Sequence, residues 1–442
     1  MNSEEQQLGF FSLFIVIFSA VGSGPSGIEG VIASANGISV AVLGVILYPL
    51  VWGLVQALCA AELSVRFKEV NGALGAWSLE LFGKPLSLNA TLYVIIMQLS
   101  TAAFVSEVSV AYIQAYDAAY FQGYWATVLM TFIIIAVSTL INLTNVRFVA
   151  KTFWVFSIHA LVAFSVFLAL CIPKMSASRF ENPARSSKQI KWAPFINILT
   201  YNSAGFDGAS SIVKYVKNPK VNLPRAMSAV ALALTVVYVA TLVLPYLATR
   251  DDASQWQVGH FVVAADYVGG RWLARWILVA CIMTNVQIFS SALQTCIYLV
   301  SAQVKAGVLP AWMASPTENT GTPRRSLLVC SSVAALFSFL PLQLSLSVQS
   351  LFFVYIILLE VACFLKMDGK LALFSPSGVW MRRLIVTPTL VLAAFVISVQ
   401  QSMLFFATLA ATIVIAAYTV QPDTKPDPPL VYTRIIADKI RL

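Results

Sequence analysis

The stretch Gly22-Ser23-Gly24-Pro25-Ser26-Gly27, followed closely by Glu29, interrupts the first hydrophobic segment of the chain. The residues before it, Phe10 to Ala20, form a strong apolar run, and Val31 to Ala35 continues that run weakly. Glycine and proline open the backbone at membrane depth, where unpaired amides and carbonyls cost several kcal/mol unless they face protein, water or a ligand. A helix broken near the bilayer midplane is typical of the substrate site of a membrane transporter.

The composition is that of a protein that crosses the membrane many times. Hydrophobic residues make up 59% of the 442 residues and charged residues only 11%, whereas soluble proteins contain about 25% charged residues. The chain divides into apolar segments that are each near the ~20 residues needed to cross a bilayer. We therefore predict an all-α membrane protein with about 12 transmembrane helices and little sequence left for a soluble domain.

The predicted organisation follows from the order of these segments. Residues 1–9 form a short cytoplasmic N-terminal tail, and residues 10–248 contain transmembrane helices 1 to 7. An external loop at 249–272 precedes helices 8 to 12 in residues 273–420, and residues 421–442 form a cytoplasmic C-terminal tail.

The basic residues indicate the orientation of the chain. With the N-terminus inside, most of the 28 Lys and Arg residues fall in cytoplasmic loops and the C-terminal tail, as the positive-inside rule requires. The basic loop between segments five and six, Lys174 to Lys191, goes against this orientation. We predict a multi-pass protein of the plasma membrane with both termini cytoplasmic. Because topology accounts for the net charge of +9, the expected partners are the lipid bilayer and a small-molecule substrate, with no nucleic acid; the need for an accessory subunit stays open.

A second interruption lies five segments after the first. Segment six runs to Tyr201, continues as Asn202-Ser203-Ala204-Gly205-Phe206-Asp207-Gly208, and resumes as a short apolar half. Matching breaks in segments one and six are expected from a LeuT-type inverted repeat of five plus five helices. We place the first repeat at residues 10–172 and the start of the second at 193. Two broken helices that cross at the midplane would surround one cavity with four half-helix ends.

Several stretches, in the same order along the chain, carry a family resemblance. They are Gly24-Pro25 with Gly27 and Glu29, Ala61-Glu62-Leu63, Asn202 to Ser211, Lys217-Asn218-Pro219-Lys220 with Leu223-Pro224-Arg225-Ala226, and Gly307-Val308-Leu309-Pro310. These stretches resemble the amino acid–polyamine–organocation superfamily, and its polyamine uptake branch most of all. The resemblance implies the LeuT-type fold and transport of an amino acid or a polyamine.

The sequence departs from the polyamine branch at acidic positions. Where that branch carries acids before the loop after segment six, in segment eight and in segment three, this chain has Tyr215, Ala292 and Ser100. A polycation needs several carboxylates at well-separated amines, so both a polyamine and an amino acid stay open as substrates.

The candidate substrate residues come from the two breaks and from segment three. They are Ser23, Gly24, Ser26, Gly27, Glu29, Glu107, Asn202, Ser203, Gly205, Phe206 and Asp207. Acids inside a membrane cost about 2.5–3.5 kcal/mol each and are therefore functional candidates, although they and the polar residues could instead cap the broken helix ends. We expect Glu62, Pro219 and Arg225 to serve a gate or the structure, and Glu360 to be a paired structural acid.

The coupling ion is predicted to be a proton or sodium. Glu29, Asp207 and His159 could carry a proton, since histidine titrates near neutral pH, although His159 could equally be a hydrogen-bonded core residue. Ser290 and Ser291 could instead complete a sodium site. The chain shows no metal-binding spacing, and we predict no metal and no cofactor beyond the coupling ion.

These features predict a secondary active transporter, a proton-coupled symporter for an amine-bearing solute that works by alternating access. The alternatives are a sodium-coupled transporter of neutral amino acids and a ligand sensor of the same fold that does not transport. An enzyme is not expected, because no catalytic motif with the required spacing is present. A primary pump is not expected either, because the sequence has no nucleotide-binding loop.

Overall fold

The computed structural model describes residues 8–21, 24–67, 73–144, 146–180, 190–203, 205–206, 213, 216–314, 323–339, 342–367 and 379–399. The predicted Ser23 and Asp207 lie outside the described residues. Every regular element in this part of the chain is helical, apart from an isolated parallel bridge between Leu8 and Val216.

The helices vary from short pieces beside the breaks to spans of more than thirty residues. They are α1 (Phe10–Val21), α2 (Gly30–Ala35), α3 (Ile38–Tyr48), α4 (Leu54–Arg66), α5 (Ala73–Phe82), α6 (Lys84–Tyr116), α7 (Tyr124–Leu143), α8 (Val146–Cys171), α9 (Trp192–Tyr201), α10 (Pro219–Ala248), α11 (His260–Gly269), α12 (Arg271–Lys305), α13 (Arg324–Phe337), α14 (Leu342–Lys366) and α15 (Val379–Val399). A π-helical turn, Pro49–Gly53, joins α3 to α4.

Seven helical stretches among the described residues are long and apolar enough to cross a bilayer. They are Ile38–Arg66, Lys84–Tyr116, Tyr124–Leu143, Phe148–Lys174, Pro219–Ala248, Arg271–Lys305 and Leu344–Lys366. These spans confirm the predicted all-α membrane protein. The full number of about 12 helices and the five-plus-five repeat stay predictions, and the predicted last segment extends beyond the described residues.

The first predicted break is present between α1 and α2. The backbone takes left-handed values at Gly27, where φ is +89°, a conformation that glycine adopts without steric cost. At Gly24 a Cβ atom would lie 2.9 Å from the Thr284 methyl group of α12. The glycines therefore provide both the turn and the close approach to α12, and this accounts for the break where the sequence placed it.

The π-helical turn lies directly beside the second break. A Cβ atom at Gly53 would lie 3.4 Å from the Ser203 carbonyl oxygen and 3.5 Å from the Phe206 ring. One backbone carbonyl of this turn has a side-chain partner: the Thr389 hydroxyl of α15 donates a hydrogen bond to the Val51 carbonyl oxygen at 2.7 Å. Turns of this kind occur often at functional sites.

Two long helices form the centre of the bundle. α6 packs against α5, α7, α12 and α14, and α12 packs in addition against α8, α11 and α13. The first break reaches this centre through Gly24 and Gly27, because Gly27 lies beside Phe104 and Val108 of α6. The fold therefore places the interrupted helix against the two long helices at the centre of the bundle.

Candidate functional site

Glu29 immediately precedes α2, and its side chain is completely buried. The Tyr112 hydroxyl of α6 donates a hydrogen bond to Glu29 Oε1 at 2.5 Å, and the Gly259 N–H donates to the same oxygen at 2.8 Å. The other carboxyl oxygen, Oε2, has no hydrogen-bond partner among the described residues. Glu29 thus joins the first break to α6 and to the connection before α11, and one of its oxygens is open to a further partner.

Tyr112 connects the two ends of this turn. Its hydroxyl oxygen accepts the Gly27 N–H at 3.1 Å while its proton goes to Glu29. The Cys281 thiol of α12 also contacts this hydroxyl, and Tyr112 is fully buried. Chained hydrogen bonds in a low-dielectric interior polarise and strengthen one another. Tyr112 therefore fixes both the backbone of the break and the direction of the carboxylate.

Gly259 reaches Glu29 because it lacks a side chain. Its φ is +99°, and a Cβ atom would lie 2.8 Å from the Ala111 carbonyl oxygen of α6. Any larger residue would push the connection between α10 and α11 away from α6. The glycine allows its N–H to approach the buried carboxylate.

A second polar chain joins the break to both central helices. Ser26 Oγ donates to Asn285 Oδ1 at 3.1 Å, and Asn285 Nδ2 donates to Ser109 Oγ at 2.8 Å. Ser109 in turn donates to the Val105 carbonyl at 2.7 Å. All of these side chains are buried. Polar contacts to both α6 and α12 therefore hold the break just before Glu29.

The predicted residues of the second break have mainly local contacts. Asn202 Nδ2 donates to the Ile198 carbonyl at 2.8 Å, so this side chain caps the end of its own helix α9. Ser203 is buried, and Gly205 takes a φ of +102°. Phe206 is buried against the π-helical turn. A direct role of these residues in binding stays a prediction.

Among the described residues, the predicted acids Glu107, Glu62 and Glu360 lie on three different helices, α6, α4 and α14. Glu107 is half-buried on α6, and at 100° per residue it lies about 140° around the helix from Tyr112. Glu62 and Glu360 are buried, and both lie near the Cys59 thiol. Glu62 is about 13 Å along α4 from Gly53, and its gate or structural role stays a prediction.

Of the predicted coupling residues other than Glu29 and Asp207, His159 lies on α8, and Ser290 and Ser291 lie on α12. His159 packs edge-on against Trp276 with ring centroids 6.3 Å apart. The Asn142 side-chain amide donates to Ser290 Oγ at 2.8 Å and to the Ser290 carbonyl at 3.2 Å, and a donor in this position competes with a cation for both oxygens. Ser291 is half-buried. Among the described residues, no group of three or more His, Cys, Asp or Glu could hold a metal ion.

The predicted gate residues Pro219 and Arg225 lie at the start of α10. Pro219 is its first residue, a position where the missing N–H has no intrahelical partner to lose. The Arg225 side chain is exposed. A role in gating stays a prediction for both.

Sequence reasoning missed four residues of the site. Tyr112, Asn285 and Gly259 contact the first break, and Ser109 supports Asn285, yet none of the four belongs to the interrupted segments. Two signals in the sequence could have pointed to them: Asn285 is a polar residue within the apolar α12, and Gly259 lies in a connection that also contains a buried aromatic residue, Trp256. Neither signal indicates which residue it contacts.

Comparison with known proteins gives one family. The family described as amino acid permease matches residues 8–437. A probable polyamine transporter of Arabidopsis thaliana is 26% identical over 366 residues, which cover 82% of this chain and 75% of the relative. The polyamine transporter PUT1 of Oryza sativa subsp. japonica is 24% identical, over 83% of this chain and 68% of its own length. The polyamine transporter RMV1 of Arabidopsis thaliana is 24% identical, over 91% and 82% respectively.

Proposed function

The chain belongs to the amino acid permease family, and on that premise we propose that it is a proton-coupled symporter that carries an amine-bearing solute by alternating access. The family match confirms the resemblance to the amino acid–polyamine–organocation superfamily, and together with the named relatives it supports a transporter. The solute, the coupling ion and the transport cycle are the proposal.

The observation that carries the proposal is the buried Glu29 carboxylate with one oxygen unpartnered among the described residues. A buried carboxylate that accepts hydrogen bonds but has no opposite charge beside it is still costly, and acids at membrane depth are functional as a rule. A substrate ammonium at Oε2 would supply the missing donor and the opposite charge. A proton on the same oxygen would remove the charge instead.

This single oxygen gives a simple basis for coupling. A proton and an ammonium group cannot occupy Glu29 Oε2 together, so symport requires that the proton displaced from Oε2 by the substrate amine stays on a second acid of the loaded transporter. Asp207 is the proposed second acid, which would receive the proton or a second amine. Sodium coupling is less well supported, because the Asn142 amide already donates to both Ser290 oxygens.

The proposed substrates are polyamines and amino acids. The relatives named above are polyamine transporters, which favours a substrate with at least one ammonium group. If the substrate is an amino acid, the Gly24 amide is the proposed contact of its carboxylate. Ser26 and the Gly27 amide would join it by exchanging their present acceptors, Asn285 and Tyr112. A competition experiment, in which an unlabelled amino acid or polyamine inhibits uptake of the labelled other class, decides which class is the substrate.

Alternating access then requires Glu29 to exchange partners. In the present conformation the Gly259 N–H and the Tyr112 hydroxyl close on Glu29 Oε1. Entry from the side of the 249–259 connection requires Gly259 to withdraw, while Tyr112 continues to orient the carboxylate. Closure after binding restores the Gly259 contact and excludes water, which strengthens the pairing with the amine.

An uptake panel in proteoliposomes tests this function. The purified protein is supplied with labelled putrescine, spermidine, lysine, arginine and a neutral amino acid, with and without an imposed proton gradient, an ionophore or sodium. We expect uptake of an amine-bearing solute that the ionophore abolishes and sodium does not affect. Binding of a solute without any uptake would support a ligand sensor, and uptake that requires sodium would overturn proton coupling.

The proposed location is the plasma membrane with both termini cytoplasmic. Most basic residues lie in loops on one side in that orientation, and such a bias sets the topology of short loops. Labelling of epitope tags at either terminus in intact and permeabilised cells tests it. Labelling of a terminal tag in intact cells would reverse the assignment.

A further inference from the structure

A groove lies between the start of α1 and the first turns of α10. Its volume is about 530 Å³, and it is lined by Phe10, Pro224, Arg225, Ser228, Ala229 and Leu232. Leu232 is 53% exposed on a helix that is long and apolar enough to span the bilayer. From Pro224 to Leu232 the groove follows α10 for about 12 Å. It is therefore a shallow apolar slot, open along the surface of α10.

A cationic cluster lies at the end of this groove. Lys217, Lys220 and Arg225 are exposed around the start of α10, and no described acidic side chain forms a salt bridge with any of them. The chain before α1 is held against this end, because the Lys217 N–H donates to the Leu8 carbonyl at 2.9 Å. The backbone pairing fixes the two walls of the groove in place beside three charges that no described acidic side chain neutralises.

We propose that this groove binds an anionic glycerophospholipid, with one acyl chain along α10 and the headgroup phosphate at Arg225. An acyl chain matches the apolar lining, and the phosphate matches the guanidinium, which binds phosphate oxygens in a two-pronged geometry. Lys217 and Lys220 add to the positive field that attracts the headgroup. Basic pockets beside transmembrane helices are suited to such headgroups, and each basic residue near the surface contributes about 1 kcal/mol.

The groove favours a lipid over a free anion. A water-soluble phosphate would contact only the cations and gain nothing from Phe10, Ala229 and Leu232. A lipid with a neutral headgroup would fill the apolar slot but leave the three charges without a counterion. Only a molecule that combines an acyl chain with a negative headgroup uses both parts of the site.

Native mass spectrometry of the delipidated, detergent-solubilised protein tests the proposal. Titration with phosphatidylglycerol and, separately, with phosphatidylcholine measures how many lipids of each class remain bound. We expect a preference for phosphatidylglycerol that Arg225→Gln lowers by about fivefold, the equivalent of one surface charge. Lys305→Gln removes an exposed basic residue from the end of α12 and serves as the matched control with an unchanged preference.

A second variant tests the apolar part without changing charge. Ala229→Trp fills the groove and should abolish retention of one phosphatidylglycerol molecule while inorganic phosphate has no effect on binding. Equal binding of the two lipids by the wild-type protein would overturn the proposal. It would also be overturned if Arg225→Gln and Lys305→Gln lowered binding equally, or if inorganic phosphate displaced the lipid.

Discussion

The backbone N–H of Gly259 donates to the buried Oε1 of Glu29 at 2.8 Å, across 230 positions of sequence. This contact joins the interrupted first helix to the connection between α10 and α11. Because the same oxygen also accepts from Tyr112, a single carboxylate links an interrupted helix, a central helix and a connecting segment. Exchange of these partners is the basis of the proposed transport cycle.

Tyr112→Phe should impair transport without unfolding the protein. The change leaves the Gly27 N–H without its acceptor and Glu29 without one donor, and an unsatisfied buried polar group costs about 1–3 kcal/mol. We expect uptake to fall by about tenfold or more while the protein still reaches the membrane. Tyr238→Phe, which alters a buried tyrosine on α10, is the control, and an equal loss in both variants would contradict a specific role for Tyr112.

Gly259→Ala should loosen the closure over Glu29. The new methyl group would meet the Ala111 carbonyl at 2.8 Å, in a backbone conformation with a φ of +99°. Non-glycine residues in such conformations are strained by about 1–3 kcal/mol. In a variant that retains Cys281 as its single cysteine, we expect faster reaction with a membrane-impermeant thiol reagent.

Gly270→Ala separates the clash from backbone strain. Gly270 also has a left-handed φ, +82°, but a Cβ atom there would meet nothing within 4 Å. The two alanine variants therefore share the backbone strain and differ in the contact with α6. If Gly270→Ala accelerated labelling of Cys281 as much as Gly259→Ala did, displacement from α6 would not be the cause.

The Ser26–Asn285 hydrogen bond should give a measurable interaction energy between the two side chains in a double-mutant cycle. Ser26 donates to Asn285 at 3.1 Å in a buried setting, and a typical hydrogen bond contributes about 0.5–1.5 kcal/mol net. Thermal unfolding of Ser26→Ala, Asn285→Ala and the double variant should be non-additive by about that amount. Strict additivity would show that the two side chains do not stabilise the break together.

The connection before α11 should lose stability in mild acid. Burial lowers the pKa of His260 from its usual value near 6.5, and the hydrogen bond and charge of Asp251 oppose this shift only partly. The folded state therefore binds the proton more weakly than the unfolded state, so stability falls as the pH drops below about 6.5. The unfolding temperature of the wild type should fall between pH 7.5 and pH 5.5 more steeply than that of His260→Gln, and parallel curves would contradict this.

The sequence predicted the first break because its signals are local. Glycines and a proline at membrane depth, with an acid close behind, indicate an opened helix, and the structure has Glu29 buried at that point. The composition predicted a helical membrane protein in the same way, because the apolar residues themselves favour the bilayer. Such patterns depend on the residues' own conformational and solvation preferences.

The partners of Glu29 could not be predicted from the same signals. Tyr112 and Gly259 lie 83 and 230 positions away, and nothing in their local sequence specifies which carboxylate they contact. Glu107 is predicted at the site from its depth in segment three; it lies about 140° around α6 from Tyr112, and its role in binding stays a prediction. Such assignments depend on packing between helices, which a single sequence does not define.

The most direct test of the central claim compares Glu29→Gln with the wild type in proteoliposome uptake. Glutamine retains an oxygen that can accept from Tyr112 and Gly259, and it replaces only the unpartnered Oε2 with an uncharged amide. Because a hydrogen bond to a charged group contributes about 1.5–3 kcal/mol, uptake at limiting substrate should fall at least about tenfold. Expression and unfolding temperature should be retained, and Glu80→Gln, a change at an exposed acid of α5, should transport normally. Wild-type uptake by Glu29→Gln would contradict the proposed role of Glu29.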